Sequence, residues 1–192
     1  MLDDRNILLG VTGGVAAYKA VDLASRLTGG HANVRTVMTE NACRFVGPKS
    51  FEAVTDSEVY TSLWSDTAEH SSAHISLADW AEIVVVAPAT ANIIGKAATG
   101  ICDDLLSTTL CTCWAKPTIL APAMNTRMWE NPAVRCNVDV LKKMGAQIIG
   151  PDTGRLACGT EGVGRMAEPA EILDAITAIT VKIRPRGTTH GI

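Results

Sequence analysis

Apolar residues fill positions 7–11 and run into a glycine-rich turn, GVTGGV, after which helical spacing takes over at Ala17, Val21, Ala24 and Leu27 until a glycine pair stops it. Positions 33–38 have strand character. The opening therefore reads strand, glycine turn, helix, strand. The stretch 39–66 is mixed and predicts one short helix around 43–46 and a surface segment carrying Trp64, followed by a polar stretch over 67–74. ISLADWA predicts a short helix. IVVVAPA, apolar at almost every position, predicts a central parallel strand covered on both faces. Helical segments follow at 91–99 and 103–114 with a glycine break between them. PTILAPAM reads as another buried strand, 132–144 as a helix leading to AQIIGP, and 168–179 as a last helix with Ile172, Leu173, Ile176 and Ile179 on its packed face. Strands alternating with helices in this order predict an α/β fold with a parallel sheet. No second domain or internal repeat is visible, and the tail 182–192, with Pro185 and two glycines, reads as flexible.

Composition narrows the partners. The chain has 192 residues, 47% of them hydrophobic, and 17 basic against 20 acidic side chains give a net charge of −3. No basic field invites nucleic acid or an anionic membrane, so a small ligand is the better expectation. Six cysteines are too sparse for a disulfide scaffold. No run approaches the roughly 18 apolar residues of a membrane helix, and MLDDRNILLG lacks the pattern of a secretion signal. A reducing, cytoplasmic location is the expectation.

The first turn carries Gly10, Gly13 and Gly14 but is not GxGxxG, and the second strand ends in Met38 and Thr39, with Glu40 just beyond as the only nearby candidate for holding ribose hydroxyls. That disfavours a nicotinamide dinucleotide. No GxxxxGK[ST] is present, so an acidic nucleotide in a P-loop is disfavoured too. Backbone N–H groups at a helix start bind phosphate without a particular dinucleotide motif. Thr12, Thr39, Thr90, Ser107, Thr108 and Thr109 lie mostly at predicted strand ends or helix starts, where open α/β sheets gather ligands. A phosphorylated cofactor with a neutral ring, such as FMN, fits this set; the plain alternative for Gly13 and Gly14 is a tight turn without a ligand.

The segments HISLADWAEIVVVAPATAN, GICDDLLSTTL, APAMNTRMWENPA and GRLACGTEGVGRMAEP, in that order, resemble the flavin-dependent cysteine decarboxylase family, which contains the phosphopantothenoylcysteine decarboxylases and the peptide-cysteine decarboxylases. The resemblance runs from about Asn6 to Ile179. It implies a Rossmann-like, flavodoxin-type three-layer fold over an FMN-binding decarboxylase domain, 1–181, assembled as a homotrimer or as a dodecamer of trimers with the cofactor at a subunit boundary. Thr12, Gly13, Gly14, Thr39, Ala89, Thr90, Ser107 and Thr108 are the implied FMN contacts.

By the same resemblance His74, which opens HISL, is a catalytic histidine whose near-neutral pKa class suits proton transfer while the cysteinyl group is oxidised. Its plain alternative is a surface residue at a helix start. His70 stands four residues earlier, but HSSAH lacks the glutamate of HExxH, so no metal site is expected. Asn125 is implied to hold the substrate carboxylate, against the simpler role of a helix cap. Met124, Met128 and Trp129 are implied to wall the substrate pocket, with core packing as the alternative. Cys158 lies in an implied flap over the substrate and assists protonation of an enethiol. The other five cysteines are read as small buried hydrophobes.

In the implied reaction the cysteinyl group is oxidised to a thioaldehyde, whose C=S bond is the electron sink for loss of CO₂. Cys158 favours phosphopantothenoylcysteine, because saturated product requires a final protonation. The absence of a following ligase-like segment favours a stand-alone enzyme acting on a cysteine-terminated peptide to give an aminoenethiol. The sequence reading settles on the peptide, with 4′-phosphopantetheine formation in coenzyme A biosynthesis as its alternative. A non-catalytic FMN-binding regulatory subunit is the third, disfavoured by His74, Asn125 and Cys158 occurring together.

Overall fold

The structure is a computed structural model, and it describes residues 2, 4–64, 72–157 and 159–182. The chain opens with β1 (Asn6–Val11), α1 (Ala17–Gly29), β2 (Asn33–Met38), α2 (Glu40–Cys43), α3 (Pro48–Thr55) and β3 (Val59–Tyr60). It continues with α4 (Ala73–Trp80), β4 (Ile83–Ala89), α5 (Ala91–Thr99), α6 (Leu105–Thr112) and β5 (Thr118–Pro122). The last elements are α7 (Thr126–Trp129), α8 (Pro132–Lys143), β6 (Gln147–Ile148), the hairpin β7 (Asp152–Arg155) and β8 (Glu161–Arg165), and α9 (Pro169–Lys182). Six strands form one sheet in the order β3-β2-β1-β4-β5-β6, parallel at every pairing.

The unbroken apolar runs follow from burial on both faces. In β1, Ile7, Leu9 and Val11 face a core built with α1, α3 and α9, while Leu8 faces the other core, built with α4, α5, α6 and α8. β4 divides the same way, Ile83, Val85 and Ala87 against Val84, Val86 and Ala89. A period of two across a sheet covered twice leaves no polar position, which makes the strand apolar throughout. The result is a three-layer Rossmann-type arrangement. Its strand order reverses between β1 and β4, and the crevice at their carboxyl ends is where such sheets bind ligands.

Three features differ from the sequence reading. The predicted short helix around 43–46 sits slightly earlier, as α2, because Thr39 caps it by accepting from the Ala42 N–H. α3 was hidden in the mixed stretch; Pro48 opens it, and Phe51 is fully buried beneath it. The glycine-rich segment after 150 forms an antiparallel hairpin outside the main sheet. Among the described residues no helix is long and apolar enough to cross a membrane.

Candidate active site

The turn after β1 is held at the sheet's switch point by Thr12. Its fully enclosed hydroxyl donates to the Pro88 carbonyl at 2.6 Å and accepts from the Thr90 N–H at 3.1 Å, tying the end of β1 to the end of β4. Thr12 thus spends its side chain on the scaffold, and the turn it anchors carries the binding surface. Gly13 is required by packing: a Cβ there would stand 2.4 Å from the Asn41 Cβ. Gly14 has ordinary room, the nearest atom to an added Cβ being the Thr90 methyl at 3.7 Å.

A cavity of about 750 Å³ opens beyond this turn. Gly13, Gly14, Val15 and Ala16 form one wall, Thr90, Ala123, Met124, Asn125 and Met128 another, and the β7–β8 hairpin covers it through Arg155, Leu156 and Arg165. No side chain caps α1, whose N-cap position is Ala16. Its Ala17 and Lys19 N–H groups donate to the Gly14 and Ala16 carbonyls at 2.9 and 3.0 Å, so what the helix start offers the cavity is the turn 13–16 and the positive end of the helix dipole. A phosphate fits there, and the volume accommodates a flavin with part of a substrate. The residues present fit FMN.

Asn125 caps α7, its Oδ1 accepting from the Arg127 N–H at 2.9 Å, which makes the Nδ2 amide the donor end of the side chain. The hairpin lies directly on this segment. Met124 N–H donates to the Gly164 carbonyl at 3.0 Å, and a Cβ on Gly162 would come within 2.4 Å of Thr126 Oγ1. The Thr126 hydroxyl is buried with no hydrogen-bond partner among the described residues.

Three cations line the cavity that the sequence reading passed over. Lys19 bonds Glu168 at 2.7 Å and Arg165 bonds the same carboxylate at 2.8 Å. The Lys19 ammonium, then Arg165, hold the Glu168 carboxyl below its ordinary range. Arg155 has no ion-pair partner among the described residues, so the lining has an excess of positive charge. The signal was available in AAYKA and in the arginines that flank GRLACG and GRM, but only the fold brings α1 under the hairpin.

Of the candidate residues, Gly13, Gly14, Thr90, Met124, Asn125 and Met128 meet in this cavity. Ala89 is buried at the end of β4 beside it, and half-buried Thr39 is occupied as the cap of α2. Ser107 and Thr108 lie in the first turn of α6, where Ser107 forms a capping box with Asp104 and Thr108 donates to the Asp104 carbonyl at 2.7 Å. Trp129 is buried in the second core with Arg135 over its ring at 5.1 Å, so it supports the cavity wall from behind. His74 lies on α4, against α6, and does not line the cavity of its own chain. Cys158 and His70 fall outside the described residues. Of the remaining cysteines Cys113 is buried as expected, whereas Cys43 is half-buried and Cys102, Cys111 and Cys136 are exposed.

The family model described as Flavoprotein matches residues 1–181. The chain belongs to the Flavoprotein family. A curated relative, the coenzyme A biosynthesis bifunctional protein CoaBC of Bacillus subtilis, is 50% identical over 173 residues, covering 90% of this chain and 42% of that protein. The chain thus spans less than half the length of this relative. Among solved structures, PPC decarboxylase with bound pantothenoylaminoethenethiol superposes with a TM-score of 0.81 at 35% identity, covering 92% of this chain and 98% of the other. The FMN-dependent cysteine decarboxylase SpaF gives 0.80 at 33%, covering 94% and 99%. The peptidyl-cysteine decarboxylase EpiD gives 0.77 at 25%, covering 90% and 98%. These neighbours establish the flavodoxin-like fold and FMN as the cofactor, and they place the chain among FMN-dependent cysteine decarboxylases. The expectation of a peptide substrate gains less from them than its coenzyme A alternative does.

Proposed function

We propose that this chain decarboxylates phosphopantothenoylcysteine to 4′-phosphopantetheine. The observation that carries the reading is the single cavity in which an uncapped helix start, Asn125 and the cationic hairpin converge. The sequence supports it as well, since the more similar relatives belong to coenzyme A biosynthesis and GRLACGTEGVGRM supplies a thiol for final protonation.

Gly13, Gly14 and the turn into α1 would hold the FMN phosphate, and Thr90 and Met124 would line the rest of its site. Bound there, FMN supplies an acceptor and later a donor for one electron pair. The Asn125 amide donates to the substrate carboxylate. It fixes that group without a second formal charge, which would stabilise the ground state and oppose CO₂ release. Arg155 and Arg165 balance the anionic substrate at the mouth. The hairpin excludes water from the reacting carbon, and Cys158 delivers a proton to the enethiol. His74 serves the cavity of a neighbouring copy in a trimer and handles the proton lost on oxidation of the cysteinyl group. Exposed Val15, Tyr18 and Met128 beside the cavity, and Ile75 beside His74, offer the apolar surface for that contact.

The test is product analysis with FMN-loaded protein offered phosphopantothenoylcysteine and, separately, a set of peptides ending in cysteine. The expected result is a saturated thiol from the former, lighter by CO₂ alone. Turnover of peptides with none of phosphopantothenoylcysteine would overturn the assignment.

A further inference from the structure

Two exposed cysteines flank the start and end of α6, Cys102 in the turn before it and Cys111 in its last turn. α5 ends at Gly100 in the left-handed conformation, φ 73°, and the chain turns through Cys102 into α6. This turn is pinned at both ends. Lys96 bonds Asp103 at 2.6 Å and Asp104 at 2.7 Å, and Asp104 closes the capping box with Ser107. The Cys102 sulfur is thereby placed 3.5 Å from the Gly100 carbonyl oxygen and 3.9 Å from that of Ser107.

Cys111 stands one helical turn beyond Ser107. Helical side chains lean toward the N-terminus and cover the preceding turn. Cys111 therefore leans back over the Ser107 turn, whose carbonyl oxygen the Cys102 sulfur approaches to 3.9 Å, and Gly100, Ser107 and Cys111 line one small surface pocket, which makes the two thiols neighbours. Cys113 is turned into the core and Cys136 lies on α8, so neither competes for this contact. Among the described residues no group of three His, Cys, Asp or Glu side chains could hold a metal ion, which leaves two-thiol chemistry.

We infer that Cys102 and Cys111 are a modification site, closing into a reversible disulfide that staples the 100–104 turn to α6. The oxidant is a low-molecular-weight disulfide, RSSR. One protein thiolate attacks it, forming a protein–SR mixed disulfide and releasing RS⁻; the second protein thiolate attacks the protein-bound sulfur, the Cys102–Cys111 bond forms, and the second RS⁻ leaves. The protein gives up two electrons and two protons, and RSSR becomes two RSH. Burial, the Cys111 thiol and the carboxylates of Asp103 and Asp104 push the Cys102 thiol up, so the exchange is slow at neutral pH. Lys96 and the capping box hold the turn in place against α6 while the bond forms.

FMN-loaded protein is equilibrated in mixtures of oxidised and reduced glutathione, quenched in acid, alkylated, and cleaved at the aspartates between the two cysteines for mass mapping. The expected product is a Cys102–Cys111 linked pair of fragments, two hydrogens lighter than the reduced pair and released by dithiothreitol. In Cys102→Ser the Cys111 thiol should instead keep a glutathione adduct, and Cys136→Ser should behave as the parent does. The inference fails if parent Cys111 keeps glutathione as the variant does, if it links to Cys113 or to another chain, or if both cysteines alkylate fully while Cys136 is glutathionylated.

Discussion

Gly162 lies so close to Thr126 that a Cβ on the glycine would fall 2.4 Å from the threonine Oγ1, and that threonine follows Asn125 in the chain. The hairpin over the cavity and the segment that carries Asn125 are thus in register through one contact. Gly162→Ala should lift β8 and cut turnover on the order of 10 to 100-fold, the scale of an ångström-level misplacement. FMN content should be unchanged. Adding Thr126→Ala removes the obstructing oxygen, which has no partner to lose, and should restore most of the rate. A double variant as slow as the single one would refute the contact's role.

Thr12 ties β1 to β4 through two hydrogen bonds on one enclosed hydroxyl. Thr12→Val keeps the shape and leaves the Thr90 N–H and Pro88 carbonyl without that partner. The expected loss is about 1–3 kcal/mol in the urea unfolding free energy. Thr12→Ser should recover most of it.

Asn125 caps α7, and one substitution separates that duty from the carboxylate binding proposed for it. Aspartate is as good a helix cap as asparagine, so Asn125→Asp should unfold at the parent's urea midpoint. Its carboxylate repels that of the substrate, however, and substrate affinity should fall by about tenfold or more in titrations of flavin absorbance. Equal stability losses in Asn125→Asp and Asn125→Ala would contradict the capping geometry.

His74 is absent from the cavity lining of its own chain, so His74→Asn should leave FMN bound. Substrate-dependent bleaching of the flavin in stopped flow should be slowed by a factor of about 10²–10⁴, the usual contribution of a general acid or base. Mixing His74→Asn with Asn125→Ala subunits tests the shared site: activity should reappear in mixed assemblies. Its absence, with mixed trimers verified by mass, would remove the neighbouring copy from the reaction.

Two carboxyls at the base of the hairpin, Asp152 at the start of β7 and Glu168 just after β8, respond oppositely to acid. Lys19, and then Arg165, lower the Glu168 pKa from 4.5, so its contribution is present above that value and disappears as pH falls through the lowered one. Asp152 is raised from 3.8, first by burial and then by Glu171, so it costs stability once pH exceeds the raised value. Glu168→Gln should therefore destabilise at pH 7 by at most about 1 kcal/mol, as for exposed ion pairs, and the difference should shrink as pH falls below 4.5. Asp152→Asn should raise the pH 7 melting temperature and have little effect in acid. Thermal scans at pH 7 and in acid decide both.

Periodicity alone located the scaffold. The apolar runs in β1, β4 and β5, the helical spacing of α1 and α9, and the punctuation by glycine and proline are local properties, set by which faces must leave water. The ordered motifs around His74, Asn125 and Cys158 supplied the family and its cofactor, because each motif keeps its residue types in a fixed sequence neighbourhood. Tertiary structure decided everything that depends on distant segments meeting. It spent the Thr12 hydroxyl on the Pro88 carbonyl and the Thr90 N–H, 76 and 78 residues away, whereas Thr39 and Ser107 are spent locally, in caps with residues three positions away. It brought Lys19, Arg155 and Arg165 to one cavity from three elements and set Cys102 against Cys111. Burial of a face is encoded every two or four residues along the chain; a hydrogen bond or ion pair between remote residues has no such period, and only the closed fold specifies it.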